Sequence, residues 1–105
     1  MIRHGIELDS ETIRDFCRRW KIKELSVFGS ILRDDFRPDS DIDFLAVFED
    51  DAEWDLFDDL HMRDELATIL RRKVEIIDRL AVETGGNRFV LKEVLSTAEH
   101  IYAAG

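Results

Sequence analysis

Residues 41–48 read DIDFLAVF, two carboxylates two positions apart followed by an unbroken run of apolar side chains. A run of this length and bulk is a strand buried on both faces, and it needs layers on either side to cover it. The flanking sequence offers them. Ile13, Phe16, Cys17 and Trp20 recur at helical spacing behind Asp9 or Ser10 as N-cap. Glu24–Phe28 is a short strand that stops at Gly29, and Ile31–Phe36 is a short helix beginning at Ser30. Arg37–Ser40 reads as a turn. An acidic stretch, Glu49–Glu53, leads into a long helix to about Arg72 with Leu56, Leu60, Ala67 and Leu70 facing inward. Lys73–Ile77 is a third strand, and Glu83–Gly86 a loop. Asn87 caps a last helix whose stripe is Val90, Val94, Leu95, Ala98 and Ile101. The order helix, strand, short helix, strand, helix, strand, helix predicts an α/β fold, a small sheet flanked by helices, with its strand order left open.

The 105 residues, 45% of them hydrophobic, suffice for one modest core, so a single domain spanning 1–105 is expected. Apolar runs fall short of the ~20 residues that cross a bilayer, and Met1-Ile2-Arg3-His4 lacks the pattern of a secretory leader, which points to the cytoplasm. The lone Cys17 excludes an intramolecular disulfide and fits a small core side chain. A net charge of −9, from 24 acidic and 15 basic residues, disfavours a nucleic-acid partner.

Asp41 and Asp43 point to the same side of their strand, with Cα atoms roughly 6.5–7 Å apart. Two unpaired carboxylates this close repel, and a divalent cation removes the conflict. Magnesium is commonly held by one or two carboxylates together with substrate phosphates. Taken alone, Asp-x-Asp is more often a solvated turn, and Gly-Ser is among the commonest loop dipeptides. Here the pair opens a strongly apolar strand and follows another strand ending in Gly29-Ser30. That glycine lets backbone approach a phosphate, and the serine offers a hydroxyl and an amide at a helix start.

Gly29-Ser30, ten residues, then Asp41-x-Asp43 is a far more specific constellation. The stretch GSILRDDFRPDSDIDFLAV resembles the minimal nucleotidyltransferases of the DNA polymerase β-like superfamily, and the likeness extends to KVEIID and more weakly to VLSTAEHIYA. The resemblance implies the polymerase β-like nucleotidyltransferase fold with a small mixed sheet. It also implies transfer of a nucleoside monophosphate from a triphosphate, ATP, to a hydroxyl. It implies that Asp41, Asp43 and Glu75 are the catalytic carboxylates and ligate two magnesium ions, and that Gly29, Ser30 and Arg33 bind the nucleotide. For Arg33, an ion pair with Asp34 or Asp39 is an equal alternative. The pattern departs from the family at Ile31, often arginine, at Asp34, often glycine, and at Glu75, more commonly aspartate. Asp78 is a weaker alternative for the third carboxylate.

Small stand-alone domains of this kind pair with a HEPN-domain ribonuclease as antitoxin and toxin, so the resemblance implies AMP transfer to a tyrosine of such a toxin. The competing readings are a catalytically weak binding module that masks the HEPN partner, and modification of a small molecule, which usually requires an additional helical domain. His4, His61 and His100 show no metal-ligand spacing and read as surface residues. Trp54 and Phe57 near the acidic stretch are placed to touch a base or a partner, but aromatic residues of a helix are more often core.

Overall fold

The computed structural model describes residues 1–85 and 88–104. A short hairpin comes first, β1 (Ile2–Arg3) with β2 (Ile6–Glu7), an element that the sequence reading does not anticipate. Its two turn residues, His4 and Gly5, have φ of 52° and 77°, the mirror-image turn that matches the twist of a two-residue hairpin. Helix α1 (Glu11–Arg19) starts where Ser10 Oγ accepts the Ile13 amide at 3.3 Å, and it buries Ile13, Phe16 and Cys17.

Strand β3 (Ile22–Phe28) runs directly into a 3-10 turn, Gly29–Leu32, in place of the expected helix 31–36. Fully buried Ile31 anchors that turn in the core, which accounts for an apolar residue where an arginine is usual. Then come β4 (Ile42–Phe48), α2 (Leu56–Leu70) and β5 (Val74–Asp78). Asp78 Oδ1 accepts the Leu80 amide at 2.9 Å and so caps α3 (Arg79–Thr84), which places Glu83 in a helix rather than a loop. The expected cap Asn87, with Gly86, lies outside the described residues.

Helix α4 (Arg88–Thr97) is shorter than its stripe suggests, because β6 (Glu99–Ala103) takes over the end. Ile101 therefore lies in a strand. Its helical spacing from Val94 and Ala98 is overridden by the free edge of β3, whose backbone pairs with residues 99–103. The four-stranded sheet has the order β5-β4-β3-β6, with β3 antiparallel to both neighbours and β5 parallel to β4. This is the small mixed sheet flanked by helices. One face buries Ile42, Phe44 and Ala46 in a core shared with α1 and α2. Towards α3 and α4, Ser26, Leu45 and Val47 line a small hollow with Arg79, Leu95 and Ala98.

Of the residues expected on the inner face of α2, Ala67 and Leu70 pack against the core and Leu56 and Leu60 do not. Met62 and Leu66 are buried, whereas Leu56 is 70% and Leu60 47% exposed. Apolar residues ring this helix, so its stripe does not define one inward side. Burial of Met62 and Leu66 settles the rotation, and beside them Glu65 accepts from Arg19 at 2.8 and 2.9 Å and from Trp20 Nε1 at 3.3 Å. The Asp55–Asp58 capping box starts the helix there. Trp54 packs edge-on to Trp20, while Phe57, expected in the core, is 71% exposed. Among the described residues no helix is long and apolar enough to cross a membrane.

Burial pushes the Cys17 thiol up to about 12 against the opposing charges of Arg18 and Arg14. The folded value lies above the unfolded one, so the stability from the buried thiol is complete below the ordinary thiol range and is lost as pH rises through it. Melting curves from pH 8 to pH 11 are expected to fall more steeply for the wild type than for Cys17→Ala.

Candidate active site

The register of the sheet brings the sequence candidates to one place. Phe28 at the end of β3 pairs with Asp43, and Asp43 pairs with Glu75 across the parallel β4–β5 ladder. Directly opposed residues share a face, so both carboxylates point to the same side, with Asp41 two residues before Asp43. Asp41 and Glu75 are exposed and Asp43 is half-buried.

Gly29 sets the limit of approach. Its φ is 78°, and a Cβ there would lie 2.5 Å from Asp43 Oδ2. Both the backbone conformation and the space demand glycine, and the Asp43 carboxylate sits against bare backbone. The Ser30 hydroxyl donates to the Asp41 carbonyl at 3.4 Å, joining the turn after β3 to the start of β4.

The electrostatics around Asp43 are unfavourable. Burial raises its carboxyl above the ordinary aspartate range, the charges of Asp41 and then Glu75 add to the effect, and Arg33 opposes it. Arg33 pairs with Asp35 at 3.1 Å rather than with Asp34 or Asp39. Glu75 receives a hydrogen bond from Arg63 Nη1 at 3.3 Å, and Arg63 also bridges to Asp59 one turn earlier on α2. Among the described residues, no three His, Cys, Asp or Glu side chains are already gathered as a metal cage. Asp41 and Asp43 nevertheless suit a hard cation that shares its remaining ligands with phosphate and water, and such an ion would relieve the repulsion that raises Asp43. Asp78, the weaker third carboxylate, is occupied as the α3 cap and faces away from Asp43 by strand alternation.

Two residues that the sequence reading overlooks hold the site together. Besides Arg63, Arg72 donates to the carbonyls of Arg37 and Ser40 and lies 4.5 Å over the Phe36 ring, which stacks on His4. Arg72 thus fastens the turn before Asp41 to the end of α2, and the N-terminal hairpin braces it. Only the Asp59–Arg63 spacing of four hints at either role in the sequence.

Clefts flank the carboxylates. On one side a hollow of about 580 Å³ is lined by Gly29, Leu32, Arg33, Glu93 and Thr97. On the other, a cleft of about 270 Å³ is lined by Asp41, Glu75, Leu60, Arg63 and Lys73. One opening thus lies at Gly29 and Arg33 and a separate one past Asp41 and Glu75.

A family model described as nucleotidyltransferase domain matches residues 10–97. The protein adenylyltransferase MntA of Thermococcus cleftensis is 28% identical over 82 residues, 78% of this chain and 81% of that protein. A crystal structure of a toxin-antitoxin with AMP-PNP superposes with a TM-score of 0.69 at 21% identity, covering 92% of this chain and 75% of that one. A structure of a tri-AMPylated HEPN toxin from Shewanella oneidensis in complex with its MNT antitoxin gives 0.59 at 20% identity, covering 89% and 68%. These two likenesses show the fold.

Because the folded-state pKa of Asp43 is raised, its ionised form destabilises the fold at neutral pH, and acidification through that pKa recovers the loss. Without divalent cations, Asp43→Asn is expected to melt above the wild type at pH 7, with the gap closing as pH falls.

Proposed function

The chain belongs to the nucleotidyltransferase domain family, and from that premise we propose that it transfers AMP from ATP to a hydroxyl of a partner protein. The acceptor in this proposal is a tyrosine of a HEPN-domain ribonuclease toxin, which the transfer neutralises, so the chain acts as antitoxin. The observation that carries the reading is the Asp43 carboxylate, held against Gly29 where the charges of Asp41 and Glu75 converge. A structural aspartate has no reason to occupy so unfavourable a position, and a site that collects a cation and a triphosphate does. The adenylyltransferase name of the Thermococcus relative and the AMPylated toxin of the Shewanella complex support the choice of nucleotide and acceptor.

In this mechanism Asp41 and Asp43 would hold magnesium, two ions with the triphosphate bound, and Glu75 would be the third carboxylate. Bound magnesium supplies charge neutralisation on the phosphates and lowers the pKa of the attacking hydroxyl. Gly29 lets the backbone close on the terminal phosphates, and the Ser30 hydroxyl turns from the Asp41 carbonyl to donate to them. Arg33, exposed and paired only at the surface with Asp35, exchanges that carboxylate for phosphate oxygens. The acceptor enters on the Glu75 side. Its oxygen forms a bond to the α-phosphorus as the bond to the β-phosphate bridging oxygen breaks, and pyrophosphate leaves towards Ser30 and Arg33. Glu75 takes the hydroxyl proton once it is released from Arg63. Most of the work is positioning and charge neutralisation.

Incubation with the HEPN-domain protein, ATP and magnesium is expected to add one or more AMP units to that protein by intact mass. Asp41→Asn and Asp43→Asn should each abolish the gain. A HEPN partner that forms a stable complex yet never gains mass would leave the chain a binding module.

A further inference from the structure

We propose that the exposed stripe Leu56, Phe57 and Leu60 on α2 is the docking surface for the acceptor protein. It would take a basic segment with apolar anchors and lead its hydroxyl into the Asp41–Glu75 cleft. The inference rests on the reading of the chain as a protein nucleotidyltransferase and adds to it the surface that selects the partner.

The first argument is exposure. Leu56 and Phe57 are 70% and 71% exposed and Leu60 is 47% exposed, three large apolar side chains within two turns of a helix. Isolated exposed leucines need no explanation, but a contiguous apolar patch on a small protein marks a contact surface. No folding reason holds these residues there, since α2 is anchored through Met62, Leu66 and the Glu65 contacts with α1.

The second argument is direction. Leu56, Leu60, Arg63 and Ala67 follow at spacings of four, three and four, one line along the helix. Leu60, Arg63 and Ala67 form one wall of the 270 Å³ cleft whose other wall carries Asp41 and Glu75. The stripe therefore runs into the cleft on the Glu75 side, opposite the hollow at Gly29 and Arg33. A segment lying along it reaches the carboxylates without crossing the nucleotide side. Around Leu56 the surface is hollowed as well, by about 580 Å³ between Phe48, Trp54, Asp59 and Met62, room for an anchoring side chain.

The third argument, which decides the occupant, is charge. Residues 49–64 hold eight carboxylates and one arginine, so the apolar stripe is framed in negative charge. Arg63 is committed to Asp59 and Glu75, and Lys21 reaches in only to Asp51. Such a rim attracts lysine- and arginine-rich protein and repels nucleic acid and acidic surfaces. A second copy of this chain, at net charge −9, would bring the same carboxylates face to face. A basic partner such as a ribonuclease surface fits both the apolar centre and the acidic rim.

The test replaces Leu56, Phe57 and Leu60 together by alanine, which removes the apolar area and favours the helix. Affinity for the HEPN-domain protein is measured by titration, and affinity for an ATP analogue with magnesium is measured separately. Binding of the partner is expected to weaken by roughly tenfold or more, with nucleotide affinity unchanged and the wild-type complex weakening as salt is raised. Equal partner affinity in the variant and the wild type would overturn the docking surface while leaving the transfer reaction standing. A wild-type chain that never binds the HEPN protein removes the acceptor reading and the docking surface with it. A wild-type dimer dissolved by the triple substitution would show a second copy as the occupant and overturn the proposal.

Discussion

The site depends on the approach of the end of β3 to Asp43. A glycine with φ of 78° ends the strand there, and any side chain in its place would collide with the carboxylate. The same turn brings the Ser30 hydroxyl to the carbonyl of Asp41, the residue before β4. The strand pairings do the rest. The antiparallel register of β3 and β4 places Phe28 beside Asp43, and the parallel register of β4 and β5 places Glu75 on its other side. Asp43 and Glu75 thus lie side by side on adjacent strands, with Asp41 just ahead of β4.

Such convergence is costly for an empty fold. Asp43 is half-buried, near two like charges, with Arg33 as the opposing charge and already paired to Asp35. In the proposed function a bound cation would offset this cost, a common relation between a functional site and its scaffold. Arg63 and Arg72 limit the damage. Arg63 draws Glu75 towards α2, and Arg72 holds the turn before Asp41 through two carbonyls and the face of Phe36. The longer side chain at 75 has a physical match in this arrangement, because a glutamate reaches back to the helix and pairs with Arg63.

The strands, the first helix and the carboxylate pair are legible in the sequence because each rests on a local signal. DIDFLAVF has one reading as a strand, and the Ser10 cap and the Ile13, Phe16, Cys17 stripe have one reading as a helix. The errors arise where partners far along the chain decide. Residues 99–103 have helical spacing but join the edge of β3, and among the many apolar residues of α2 the core takes Met62 and Leu66, a choice the helix's own pattern does not single out. The N-terminal hairpin is too short for a periodic signal. The link from Arg63 to Glu75 and those of Arg72 leave no mark in the sequence for the same reason, since these partners lie 12 and more than 30 residues away. The orientation of α2 is also informative, because Leu60, expected inside, lines the cleft of Asp41 and Glu75.

The central claim is that Asp41 and Asp43 form a cation-dependent nucleotide site. Calorimetric titration of a non-hydrolysable ATP analogue, with and without magnesium, on the wild type and on Asp43→Asn tests it directly. The account predicts that magnesium strongly tightens binding to the wild type and has little effect on the variant. Equal affinity with and without magnesium in the wild type would contradict it.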